Sequence, residues 1–96
     1  MDLADIRASY TSTGIRRADL LPDPVDQFRL WYEQAGQAGL VEPNAMSLAT
    51  AGRDARPTIR TVLLKQFDQR GFVFFTNLES TKATQLAENP HAELLF

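Results

Sequence analysis

Thr58-Ile59-Arg60-Thr61-Val62-Leu63-Leu64-Lys65 is the segment on which the fold turns. Its β-branched and aliphatic residues favour a strand. Alternation sets Ile59, Thr61, Leu63 and Lys65 on one face and Thr58, Arg60, Val62 and Leu64 on the other. Both faces are largely apolar, which predicts a strand covered on both sides. Each face also carries one cation. A buried cation is costly unless paired, so Arg60 and Lys65 are expected to meet acids or a bound anion, or to reach water along their own stems.

The flanking sequence supplies partners for this strand. Ala45 to Thr50 reads as a preceding strand, with Gly52-Arg53-Asp54-Ala55 as the turn between them. Asp68-Gln69-Arg70-Gly71 forms the next turn, Phe72 to Thr76 a third strand and His91 to Phe96 a fourth. Strands joined by short turns predict antiparallel pairing as a meander. Ser80 caps a short helix that runs through Glu88 and ends at Asn89-Pro90.

Upstream, Asp23-Pro24-Val25-Asp26 gives a helix start, with Asp23 as N-cap and Pro24 at the first helical position. Phe28, Trp31, Tyr32, Ala35 and Ala38 follow at helical spacing, and Gly39 suits the stop. This aromatic face reads as core packing. Leu3 to Tyr10 is expected to form a short helix ended by Thr11 to Gly14, and Arg16 to Leu21 an extended connector. The predicted chain is α+β, mainly antiparallel β, built around a sheet or barrel.

Composition bounds the function. With 96 residues the chain makes one small domain, and 44% hydrophobic with 23% charged residues argues against disorder. A net charge of −2 gives no bulk attraction to nucleic acid or an anionic membrane, so neither is expected as a partner. The absence of cysteine excludes disulfides and thiolate metal sites. Met1-Asp2-Leu3-Ala4-Asp5 carries acids where a signal or transit peptide carries bases, making the cytoplasm the default. The apolar run Ala92-Glu93-Leu94-Leu95-Phe96 at the C-terminus reads as a truncated sheet with an open edge, the alternative being a final strand that simply ends there.

A second cluster lies at Thr76-Asn77-Leu78-Glu79-Ser80-Thr81-Lys82. Here a strand end, a polar loop and a helix start bring hydroxyls and free backbone N–H groups together, a setting that favours anions. Lys82 falls in the first helical turn, where the dipole disfavours a cation unless an anion is bound. Arg60, Ser80, Thr81 and Lys82 make a phosphate cradle if the fold gathers them, with Phe75 and Thr76 beside a planar ring. The alternative for this cluster is an ordinary capped helix with a solvated lysine.

Arg60-Thr61-Val62-Leu63-Leu64-Lys65, Gly71-Phe72-Val73-Phe74-Phe75-Thr76-Asn77-Leu78, Ser80-Thr81-Lys82 and Glu88-Asn89-Pro90 resemble the N-terminal half of the pyridoxamine 5′-phosphate oxidase family. Tyr10-Thr11, Gly14-Ile15, Asp23-Pro24, Phe28, Trp31 and Pro43-Asn44-Ala45-Met46 extend the resemblance over nearly the whole chain. The resemblance implies a split β-barrel that binds flavin mononucleotide (FMN) at a homodimer interface. Residues 1–22 would then be a substrate-covering segment and 23–96 the first part of the barrel. It also implies oxidation of pyridoxamine or pyridoxine 5′-phosphate to pyridoxal 5′-phosphate, in vitamin B6 biosynthesis, with O2 as acceptor.

By the same resemblance, Arg60, Thr61, Val62, Leu63, Leu64, Lys65, Phe75, Thr76, Thr81 and Lys82 would contact FMN. Arg7, Tyr10 and Lys65 would contact substrate. No residue is assigned as catalytic, because the flavin carries the redox step, and His91 reads as structural. Two positions depart from the family pattern: Phe75 stands where many relatives have tyrosine, and Thr81 where they usually have arginine. A non-catalytic flavin- or phosphate-binding module is the alternative these departures raise.

Overall fold

The computed structural model describes residues 1–6 and 14–96. Leu3 to Ile6 forms a turn closed by Ile6 N–H on the Leu3 carbonyl (3.1 Å). The remainder of the expected helix to Tyr10 lies outside the described residues. Residues Arg17–Asp19 wind into a single 3₁₀ turn where an extended connector was expected. Asp19 and Leu20 N–H groups donate to the Arg16 and Arg17 carbonyls, closing it locally.

Helix α1 spans Pro24–Gln37. Asp23 Oδ1 accepts from the N–H groups of Val25 (2.7 Å) and Asp26 (3.3 Å), satisfying donors the first turn leaves free. Asp23→Ala is expected to cost about 0.5–2 kcal/mol in urea unfolding; an unchanged midpoint would show the cap to be idle. At the other end Gly39 takes φ +83°, and Leu40 N–H reaches the Ala35 carbonyl (3.3 Å). That is the left-handed glycine stop the sequence predicts.

Strand β1 (Ala45–Ala51) is central, with β2 (Pro57–Leu63) and β5 (Ala92–Leu95) antiparallel on either side. The register sets Leu48 against Arg60 and Leu94, and Thr50 against Thr58 and Ala92. Strands β3 (Gln66–Asp68) and β4 (Gly71–Val73) form a separate hairpin. The simple meander is therefore corrected: β4 pairs with β3 rather than β2, and the last strand returns beside β1. Helix α2 (Thr81–Glu88) makes that return possible, carrying the chain back across the sheet.

The third strand is also shorter than the predicted Phe72–Thr76. Its partner β3 has three residues, so the ladder ends at the Gln66–Val73 pair and Phe74 to Asn77 leave the sheet. Likewise β2 stops at Leu63, after which Lys65 N–H turns to the Val73 carbonyl (2.8 Å).

Met46, Leu48 and Thr50 of β1 point to one side and are buried, joined by Leu64. The opposite face is open: Ile59 and Leu95 remain 67% and 70% exposed. Coverage of β2 on both sides is thus corrected to one side among the described residues. Three strands and one short helix supply only enough material to cover one face.

The aromatic face of α1 packs as predicted. Phe28 meets Phe67 and Phe72 edge-on at 5.0 Å, and Phe96 at 4.7 Å. Trp31, 45% exposed, and Ala38, also exposed, are the exceptions on this face.

Arg70 closes the β3–β4 turn onto Asp68, with Nη2 2.7 Å and Nε 3.1 Å from Oδ2. Those side-chain bonds, with the Arg70 backbone N–H on Oδ1 (2.8 Å), hold the Asp68 carboxyl below the usual aspartate range. A depressed folded-state pKa contributes stability above the unfolded value, lost as pH falls through the folded one. The pair is exposed, so the expected readout is the titration itself. By carboxyl NMR, Asp68 should titrate at lower pH than in Arg70→Gln, and coincident curves would refute the bond.

Candidate functional site

Arg60 lies on the covered face of β2, half-buried, at the centre of a polar network. Its Nη1 donates to Thr50 Oγ1 (2.6 Å) and the Leu48 carbonyl (3.2 Å), and its Nη2 to Thr58 Oγ1 (2.6 Å). All of these acceptors are neutral. The ion pairs among the described residues are Arg29–Asp26 and Arg70–Asp68, so no carboxylate balances Arg60. A guanidinium has five N–H donors, and three are spent here. Among the described residues the Nε–H and the second Nη2 proton meet no acceptor, the donor pair a phosphate accepts as a fork.

Both threonine hydroxyls donate onward to Gln85 Oε1, at 2.6 Å from Thr50 and 2.7 Å from Thr58. Gln85 belongs to α2, so the network joins Arg60 to the helix whose N-terminus carries Thr81 and Lys82. The end of that helix is also pinned: Glu88 Oε2 accepts from Arg53 N–H (3.1 Å) over the β1–β2 turn. Gly52 permits this approach, because a Cβ there would stand 2.6 Å from the same oxygen.

Ser80 caps α2 by accepting from Ala83 N–H (3.2 Å), and its hydroxyl lies 3.2 Å from Thr76 Oγ1. Thr76 is therefore held at the helix start although it sits in a loop rather than at a strand end. Lys82 is half-buried in the first turn, which contains no acid, and Thr81 is exposed. No hydrogen bond joins Arg60 directly to Thr81 or Lys82 among the described residues; the connection runs through Gln85.

Lys65 lies just past β2, in the short connection to β3, its Nζ 6.0 Å from the Phe75 ring centroid. That pairing brings together two residues expected near a flavin, with Phe75 74% exposed. Between the two cations, Thr61 and Leu63 are outward-facing, Val62 is half-buried and Leu64 belongs to the core. Leu64 N–H bonds the Asn44 carbonyl (2.8 Å), and Asn44 Nδ2 returns a bond to the Leu64 carbonyl (3.2 Å). Antiparallel alternation then directs the backbone groups of Thr61 and Leu63 to the free edge of β2, available to a ligand. Arg7 and Tyr10 lie outside the described residues. An apolar cleft of about 460 Å³ between Trp31, Tyr32, Leu40 and Phe96 carries no cation and is a separate feature.

Of the residues that hold Arg60, sequence reading missed Thr50, Thr58 and Gln85. The spacing of Gln85 from Thr81 and Lys82 places it on their helical face, the only signal available for it.

Solved structures share this fold. PhzG from Burkholderia lata 383, in complex with tetrahydrophenazine-1-carboxylic acid, superposes with a TM-score of 0.78 at 32% identity, over 82% of this chain and 40% of that one. A pyridoxamine 5′-phosphate oxidase-related, FMN binding protein from Nostoc punctiforme gives 0.62 at 27% identity, over 75% and 38%. The fold class is therefore the FMN-binding split barrel, of which this chain forms the strands and helices described above.

The family model for pyridoxamine 5′-phosphate oxidase matches residues 32–96. The pyridoxine/pyridoxamine 5′-phosphate oxidases of Crocosphaera subtropica and Aliarcobacter butzleri are 59% and 57% identical over all 96 residues. This chain belongs to the pyridoxamine 5′-phosphate oxidase family. It spans 45% of the length of those two relatives.

Proposed function

We propose that the protein is an FMN-dependent oxidase of pyridoxamine or pyridoxine 5′-phosphate, and that this chain supplies part of its cofactor site. The observation that carries the reading is Arg60: a half-buried guanidinium with neutral partners, unspent donors and a rigid link to α2. A dianionic phosphate fits that donor set, which leaves a positive charge unbalanced.

In this reading Arg60, Thr81 and Lys82 hold the flavin phosphate, while the edge of β2 from Thr61 to Leu64 meets the cofactor through its backbone. Phe75 and Thr76 flank the ring, Lys65 serves both flavin and substrate phosphate, and Arg7 and Tyr10 of segment 1–22 cover the substrate. FMN held by these residues would supply the redox chemistry between substrate and O2. The chain's own residues position and neutralise. The open apolar face with Ile59 and Leu95 supports burial against further barrel strands or a second subunit, and we place the homodimer in the cytoplasm.

The test is to titrate the chain with FMN by fluorescence quenching and then add pyridoxamine phosphate, following peroxide. Flavin binding with turnover supports the full reading, and binding without turnover supports the binding-module alternative, which Thr81 and Phe75 favour. Absence of flavin binding defeats both. Thr81 is exposed and its hydroxyl makes no hydrogen bond among the described residues, so Thr81→Arg should fold normally. A charge-assisted fork is worth roughly 1–2 kcal/mol more than a neutral hydroxyl contact, so affinity for FMN should rise about fivefold to thirtyfold. Unaltered affinity would remove position 81 from the site.

A further inference from the structure

We propose that Gln85 is a positioning residue, whose side-chain carbonyl aims the Arg60 guanidinium at a phosphate through Thr50 and Thr58. The inference rests on the reading of Arg60 as a phosphate contact. Four side chains close a ring: guanidinium to Thr50, Thr50 to Gln85, Gln85 to Thr58, and Thr58 back to the guanidinium.

The chemistry of each group fixes the direction of every bond. A guanidinium only donates and an amide oxygen only accepts, so each threonine must receive from Arg60 and give to Gln85. With both hydroxyl protons held by Gln85 Oε1, the lone pairs of both oxygens face the Nη atoms at 2.6 Å. The guanidinium plane is thereby set, leaving Nε–H and one Nη2 proton directed away from the ring. Without the Gln85 acceptor, each hydroxyl would be free to rotate and the plane would lose its anchor.

The neutrality of Gln85 matters equally. A carboxylate at this position would accept the same two bonds but would offset the Arg60 charge that a phosphate must find. Gln85 also ties helix to strand: Thr50 and Gln85 are separated by 35 positions in sequence, and Thr50 is buried. One side chain therefore orients the cation and registers α2, with Lys82 on it, against β2.

The test compares affinity for FMN and for riboflavin, which lacks the phosphate, in the 96-residue chain and its Arg60→Met, Gln85→Met and doubly substituted variants. Arg60→Met and Gln85→Met should each weaken FMN about fivefold or more and leave riboflavin unchanged, and the double variant should bind FMN no more weakly than Arg60→Met alone. Gln85→Glu guards against a folding defect: it keeps both acceptor bonds and a normal urea midpoint, yet should bind FMN more weakly and riboflavin equally well. A purely structural role predicts parallel losses for both ligands, or additive losses in the double variant, and either result overturns the proposal. FMN affinity that falls in Arg60→Met but holds in both Gln85 variants overturns it while sparing the reading of Arg60. Unchanged FMN affinity in Arg60→Met, or no flavin binding by the parent chain, overturns both.

Discussion

Truncating Leu48 to alanine is expected to destabilise the fold by about 2–5 kcal/mol, the range for removing three buried carbons and leaving a cavity. Leu48 is 1% exposed at the centre of β1, between Arg60 of β2 and Leu94 of β5. The buried apolar core among the described residues is Met46, Leu48 and Leu64, so few neighbours can collapse into the space. A typical domain has only about 5–15 kcal/mol in total, and one this small sits low in that range. Urea unfolding followed by near-ultraviolet circular dichroism should show a large fall in midpoint or loss of the cooperative transition. A shift of less than about 0.5 kcal/mol, the scale of a surface substitution, would mean that β1 is not the core strand.

The second large effect is on ligand binding. Arg60→Met is expected to weaken FMN about tenfold to a hundredfold, because hydrogen bonds to charged groups are worth roughly 1.5–3 kcal/mol. Methionine matches the length of the aliphatic stem, so packing against β1 is retained. The loss to folding is limited as well: Thr50 and Thr58 can still donate to Gln85, leaving no buried hydroxyl without a partner. The change should therefore appear in FMN affinity and be absent from riboflavin affinity. An equal fall for both ligands would assign Arg60 to the scaffold, and no fall for either would remove it from the site.

Much of this molecule is written in short-range pattern. Asp23 and Pro24 announce α1, Gly39 ends it, Ser80 caps α2 and Asn89-Pro90 stops it, each through contacts within one helical turn. Strands read over Ala45 to Thr50 and Thr58 to Lys65 form as Ala45–Ala51 and Pro57–Leu63, and their antiparallel pairing was visible in the short turn between them. The family, too, was legible, because an ordered series of local motifs spans the chain.

The errors fall where non-local partners decide. Phe72 to Thr76 has the composition of a full strand, but its ladder lasts only as long as the three residues of β3. Ile59 and Leu95 have the composition of buried residues, but they stand 67% and 70% exposed on the open face of the sheet. Residue type states what a segment tolerates; it does not state which edge or face remains available.

The strand from Thr58 to Lys65 shows both halves of that division. By itself the sequence determined that its greater part is extended, that Arg60 lies on the face of Thr58 and Val62, and that each cation must meet an anion or acid or reach water. Only the tertiary structure decided that Arg60 is held by Thr50, Thr58 and Gln85 while Lys65 turns to Phe75 and Val73. Alternation is a local property of the backbone and can be counted along the chain. The partner of a side chain depends on which distant segment the folded sheet and its return helix bring within 3 Å, and Gln85 looks like any surface glutamine until α2 crosses β1.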